Sequence, residues 1–138
     1  MKIKLKLKLE IPEILREIKR LKRKIKLGPE EETKLRGLTN AYRVYEESGD
    51  SFYIDESTIE VNIRKFRKAL TFNRLKLLDI IKNQNINSVT QLARITKRDI
   101  KNIYQDIKIL EESRLISLIK ETKEVKPILK IEEISFEF

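Results

Sequence analysis

Six side chains suited to gripping nucleic acid recur within twelve residues of this chain: Lys97, Arg98, Lys101, Asn102, Gln105 and Lys108. Interleaved with them, Ile100, Ile103, Ile107 and Leu110 are spaced by three and four, the period of a helix with one buried stripe. A helix folded on that stripe turns the polar residues outward. An arginine grips guanine bidentately, and asparagine or glutamine does the same to adenine. The lysines, as flexible point charges, suit phosphates better than bases. A merely solvated helix face has a similar composition, so the elements that position this one must decide.

Those elements read as a pair of closely spaced helices. Ser88-x-x-Gln91 is a capping box, and eight residues later Thr96-x-x-Asp99 offers a second start, with Thr96 as cap and Asp99 against the positive helix end. Only a tight turn fits between them, which is the outline of a helix-turn-helix. Thr90 and Arg94, on the first helix of the pair, are expected to help hold the same partner. Upstream, Thr71 to about Lys82 reads as a helix capped by Thr71. Its Phe72, Leu75, Leu77, Leu78 and Ile81 are expected to form a core with Val89, Leu92, Ile95, Ile100, Ile103 and Ile107. Asn83 to Asn87 is the polar connection. Downstream, Leu115–Lys120 and Ile128–Ile131 read as strands, joined by the charged connection Glu121–Pro127. Lys120, Lys123 and Lys126 at the tip of that wing suit phosphate contacts, diluted by Glu121 and Glu124. The whole is a winged helix-turn-helix of about 65 residues, near the small end for an independent domain.

Several stretches resemble a known group. Phe66-Arg-Lys-Ala-Leu-Thr-x-x-Arg74-Leu-x-Leu-Leu, Ser88-Val-x-x-Leu92-Ala-Arg, Arg98-Asp-Ile-Lys-Asn-Ile103, Asp106-Ile and Leu110-Glu-Glu are similar to small MarR-like winged-helix proteins, predicted transcriptional regulators of archaea and bacteria. The resemblance covers the second half of the chain, and the Arg-Asp-x-Lys-Asn run is its most specific part. It implies sequence-specific DNA binding, with Arg98, Lys101 and Asn102 matching the group's recognition-helix motif. The chain departs from the group before the wing, where Ser113-Arg114 stands in place of a turn glycine.

The first half is built differently. Met1 to Leu9 alternates strictly, with Ile3, Leu5, Leu7 and Leu9 on one face of a strand and Lys2, Lys4, Lys6 and Lys8 on the other. The lysines either protect an exposed sheet edge or lie against DNA, and the protective reading is preferred. Ile11 to Lys26 reads as an amphipathic helix with Ile14, Leu15, Ile18, Leu21 and Ile25 on its apolar side and seven basic residues opposite, ended by Gly28-Pro29. A second helix is expected over Glu30 to Glu47, with Leu35, Leu38, Ala41, Tyr42 and Tyr45 as its stripe, broken by Gly49-Asp50. Phe52-Tyr-Ile and Thr58–Ile63 offer two short strands, before a return to helix from Ile63 to Leu70. This is more apolar surface than a small winged helix needs covered, so a dimer interface is expected here; packing against its own winged helix is the alternative.

The 138 residues carry 31 basic and 22 acidic side chains, a net charge of +9. Such a surplus favours any polyanion through counterion release and does not by itself select DNA. With no cysteine and no histidine, disulfides and thiolate metal sites are excluded and the usual general acid-base residue is missing. Three glycines hardly suffice for a phosphate-binding loop, and no such motif is present. Neither catalysis nor a cofactor or metal is therefore expected. No stretch has the apolar length of a signal peptide or a membrane span, so a cytoplasmic protein is expected. The richness in Lys, Glu and Ile is also what heat-adapted proteins show.

The sequence thus predicts a mainly α, α+β chain. A strand-and-helix region over residues 1–64 provides dimerisation, and a winged helix-turn-helix over residues 65–138 provides DNA binding. The expected function is a sequence-specific, homodimeric regulator of transcription, most simply a repressor. Two alternatives stand beside it. One is a ribbon-helix-helix binder reading the groove through Lys2, Lys4, Lys6 and Lys8. The other is a non-enzymatic winged-helix assembly protein of the transcription machinery.

Overall fold

In a computed structural model the chain is mixed α/β, with helix predominant, and residues 2–59, 63–121 and 123–138 are described. Its elements run β1 (Lys2–Leu9), α1 (Ile11–Lys22), α2 (Pro29–Ser48), β2 (Tyr53–Ile59), α3 (Ile63–Ala69), α4 (Phe72–Asn83), α5 (Val89–Thr96), α6 (Ile100–Glu112), β3 (Ile116–Glu121), β4 (Glu124–Leu129) and β5 (Ile131–Glu137). Two compact units emerge, one of residues 1–5 and 58–138, the other of residues 6–57. Against the sequence division at 64/65, residues 1–5 and 58–64 cluster with the C-terminal unit. The expected strand over Thr58–Ile63 falls partly on residues 60–62, outside those described.

Within the unit of residues 6–57, α1 and α2 form an antiparallel pair whose core is Ile14, Leu21, Leu38 and Ala41, with Leu9, Ile18, Leu35, Tyr42 and Tyr53 packed against it. The apolar stripes of the two helices are thus largely used on each other. Helix α1 stops at Lys22, short of the expected Lys26, because its last turn tightens into i−3 bonds from Arg23 and Lys24 to Arg20 and Leu21. Gly28-Pro29 does not end α1. It opens α2 instead, with Pro29 in the first turn, where a missing N–H costs nothing. Gly49 closes α2 at φ 80°, a left-handed conformation open to glycine without Cβ strain.

Strand β1 alternates as its sequence requires, Ile3, Leu5 and Leu7 buried and Lys2 and Lys4 exposed. It is, however, the middle strand of a sheet ordered β2-β1-β5. Both edges of β1 are therefore occupied, and the readings of its lysines as edge protection, or as a ribbon paired with a second copy, lose their basis. The lysines answer their neighbours: Lys4 meets Glu137 of β5 at 3.0 Å, Lys6 meets Glu56 of β2 at 3.3 Å, and Lys8 lies 4.9 Å from the centre of the Phe52 ring.

In the other unit, α4, α5 and α6 pack together, and β3 and β4 form an antiparallel hairpin against them. The core is Phe66, Leu77, Leu78, Ile81, Ile86, Val89, Leu92, Ile103, Ile107, Leu110 and Leu115. Four residues expected there are exposed: Phe72, at 79 % of its surface, and Leu75, Ile95 and Ile100. The i, i+3 spacing from Phe72 picked a stripe rotated away from the one α4 buries. Strand β4 begins at Glu124, which pairs with Glu121 of β3, so most of the seven-residue connection expected is strand, and Pro127 lies inside it opposite Leu118. The residues after Lys130 form a further strand, β5, in place of an end to the wing at Ile131.

Candidate nucleic-acid interface

The helix pair is set by its caps. Ser88, itself buried, accepts from Gln91 N at 3.0 Å to start α5, and the Gln91 side chain accepts from Asn87 N at 2.7 Å. Helix α6 starts three residues later than expected. Its N-cap is Asp99, which accepts from Lys101 N at 3.0 Å, while Thr96 is still helical and turns its hydroxyl back to Leu92 O at 2.9 Å. The turn is closed by Lys97 in the left-handed region, at φ 55°. Lys97 and Arg98 therefore lie in the turn and not on α6, a correction to their expected place on the second helix.

Arg98 is also occupied. Its Nη2 lies 2.8 Å from Asp106 Oδ2, a charge contact without hydrogen-bond alignment. Arg74 Nε donates to Asp106 Oδ1 at 3.0 Å, and Arg74 also reaches the carbonyl of Lys68. Asp106, only 7 % exposed, thus ties α4 and the α5–α6 turn to α6. This is a buried carboxylate with two cationic partners, the arrangement that burial of a charge demands.

What remains on the outside of α6 is Lys101, Gln105 and Lys108, at i, i+4 and i+7 and all exposed. Asn102 is exposed about 100° round the helix on one flank. Asp106 is the one acidic side chain between Ile100 and Leu110, and it points inward. The outer face thus carries no negative charge as far as Leu110, and the exposed Glu111 and Glu112 follow in the last turn, Glu112 four residues after Lys108 on the same stripe. Beside it, between α6 and β3, runs a groove of about 560 Å³ lined by Ile100, Tyr104, Ile107 and Leu118, and also by Lys101, Gln105, Lys108 and Glu111, so the groove and the outer face share residues. Sequence reasoning placed Ile100 in the core and passed over Tyr104. The single signal in the sequence was a tyrosine one position off the buried stripe.

The remaining candidates divide. Thr90 and Arg94 are exposed one turn apart on α5. Lys120 and Lys126 are strand residues, paired in register with Val125 and Ile119, so of the three expected at the hairpin tip Lys123 alone lies in the turn. Thr122 beside it lies outside the described residues. The turn before β3 is made without glycine: Arg114 adopts φ 65° while Leu115 N bonds to Leu110 O at 3.0 Å, a Schellman-type closure. Among the described residues no cluster of three acidic, histidine or cysteine side chains is placed to hold a metal ion, and no helix is long and apolar enough to cross a membrane.

Comparison with known proteins touches this unit. Residues 69–136, from the end of α3 almost to the end of β5, are similar to a family described as HVO_A0114. No curated protein and no solved structure matches the chain. The matched stretch contains the caps, the Arg74–Asp106–Arg98 cluster and the outer face of α6, and leaves the unit of residues 6–57 outside it.

Proposed function

We propose that residues 63–138 form a MarR-like winged helix-turn-helix that binds double-stranded DNA sequence-specifically, and that the chain regulates transcription in the cytoplasm, as a homodimeric repressor and without catalysis. The observation that carries this reading is the exposed row Lys101, Gln105 and Lys108, with no outward acidic side chain from Ile100 to Leu110, presented by the second helix of a capped pair. Gln105 and Asn102 are assigned to base edges, where each is suited to adenine. Lys101 and Lys108, with Thr90, Arg94, Lys97 and Lys123 around them, are assigned to phosphates, which fix register without reading sequence. Arg98 acts from the turn, where its pairing with Asp106 sets how the two helices meet.

Selection of bound sequences from a random duplex pool tests this. A palindromic consensus is expected, since a two-fold reader grips two half-sites. Gln105→Ala or Asn102→Ala should cost about 1–3 kcal/mol on that consensus and relax its specificity. Lys101→Ala and Lys108→Ala should weaken binding equally on all sequences. A pool that returns no preference refutes the reading. The apolar groove beside Tyr104 favours a second reading, an assembly protein that docks a protein partner there. Under that reading Tyr104→Ala abolishes partner binding and leaves duplex affinity unchanged.

A further inference from the structure

We propose that the outer face of α1 and the turn after it form a second nucleic-acid contact, one that grips the phosphodiester backbone without reading bases. The unit of residues 6–57 is close to neutral, with 12 basic and 11 acidic side chains, yet its charge is strongly polarised. Residues 16–26 hold seven of those cations and one carboxylate, Glu17. Glu17 is committed to Arg20 and to Lys34 at 3.1 Å. Three other cations of the unit are paired: Lys24 with Glu31, Lys34 with Asp55 and Lys6 with Glu56.

Arg16, Lys19, Lys22, Arg23 and Lys26 form the densest cluster of exposed cations in the unit with no acidic partner among the described residues. Arg16, Lys19 and Arg23 fall on one stripe opposite the buried Ile14 and Leu21. Like charges one turn apart, as Lys19 and Arg23 are, repel each other, a repulsion that a polyanion lying across them relieves. A duplex backbone offers a continuous row of negative charge and returns its condensed counterions to solvent on binding. An anionic membrane suits the face less well. A helix lying in a bilayer surface needs an apolar side to bury, and α1 has used Ile14 and Leu21 in its own core, which leaves Leu15 and the turn residue Ile25 exposed.

The test uses the full chain and a random-sequence duplex, titrated by fluorescence anisotropy over a range of salt. Replacing Arg16→Gln, Lys19→Gln and Arg23→Gln together should make the dependence of log affinity on log salt shallower by about 2–3, lowering affinity by one factor on every sequence. A second variant, Arg16→Lys with Arg23→Lys, should keep the wild-type slope and so separate charge from folding. An unchanged slope in the glutamine variant overturns the proposal, as does preference of the wild-type chain for anionic vesicles over duplex. The proposal shares only its ligand class with the reading of α6. A slope that falls in a protein selecting no consensus sinks that reading and leaves this one standing.

Discussion

Asp106→Ala is the substitution for which the geometry sets the clearest stake. The carboxylate is buried and joins two guanidinium groups from two other places in the chain. Its hydrogen bond from Arg74 Nε, at 3.0 Å with both side chains largely covered, is of the charged kind worth about 1.5–3 kcal/mol. The Arg98 contact is partly exposed on the arginine's side and unaligned, and contributes about 0–1 kcal/mol. Truncation leaves both arginines without their counter-charge, for a total loss of about 2–4 kcal/mol. For a unit of this size that lowers the melting temperature by roughly 10–20 °C. Urea denaturation followed by circular dichroism reads the loss directly. Asp106→Asn keeps the volume and an acceptor for Arg74, so it should lose less. The pair Arg74→Met with Asp106→Leu, which removes charge from both sides, should recover part of the stability that Asp106→Ala loses. A loss below about 0.5 kcal/mol for Asp106→Ala would refute the account of Asp106 as the clamp between α4, the turn and α6.

Two further predictions concern the unit of residues 6–57. Hydrogen bonds from Arg20, at 3.1 Å to each oxygen, and then from Lys34, hold the Glu17 carboxyl at about 2, well under its ordinary 4.5. A carboxyl depressed on folding contributes stability above pH 4.5 and loses it as pH falls from there toward about 2; discounted for solvent, the contribution is about 1–2 kcal/mol. Glu17→Gln should flatten the acid limb of a stability-against-pH curve by that amount. Gly37 lies inside α2, where a Cβ would meet Tyr53 Cε2 at 2.7 Å. Overpacking of about 1–3 kcal/mol outweighs the roughly 1 kcal/mol that alanine gains in a helix interior, so Gly37→Ala should destabilise in thermal unfolding, and reverse sign in a Tyr53→Leu background.

The sequence determined what depends on neighbours along the chain. Alternation in Lys2–Leu9 fixed a strand with its apolar face inward, Ser88 and Gln91 fixed the start of α5, and the run Ile103, Ile107, Leu110 fixed which side of α6 is buried. Each follows from a period or a hydrogen bond spanning four residues or fewer. What the tertiary structure decided was every question of partnership. Whether Asp99 or Thr96 caps α6 turns on how α5 packs. Arg98 looks like a base reader until Asp106, eight residues on, is seen to claim it. The lysines of β1 look like an edge until β2 and β5 occupy both sides, and the apolar stripes of α1 and α2 look unclaimed until the two helices cover them on each other. A side chain's charge and period are written locally, but its partner is chosen by residues that the fold alone brings near.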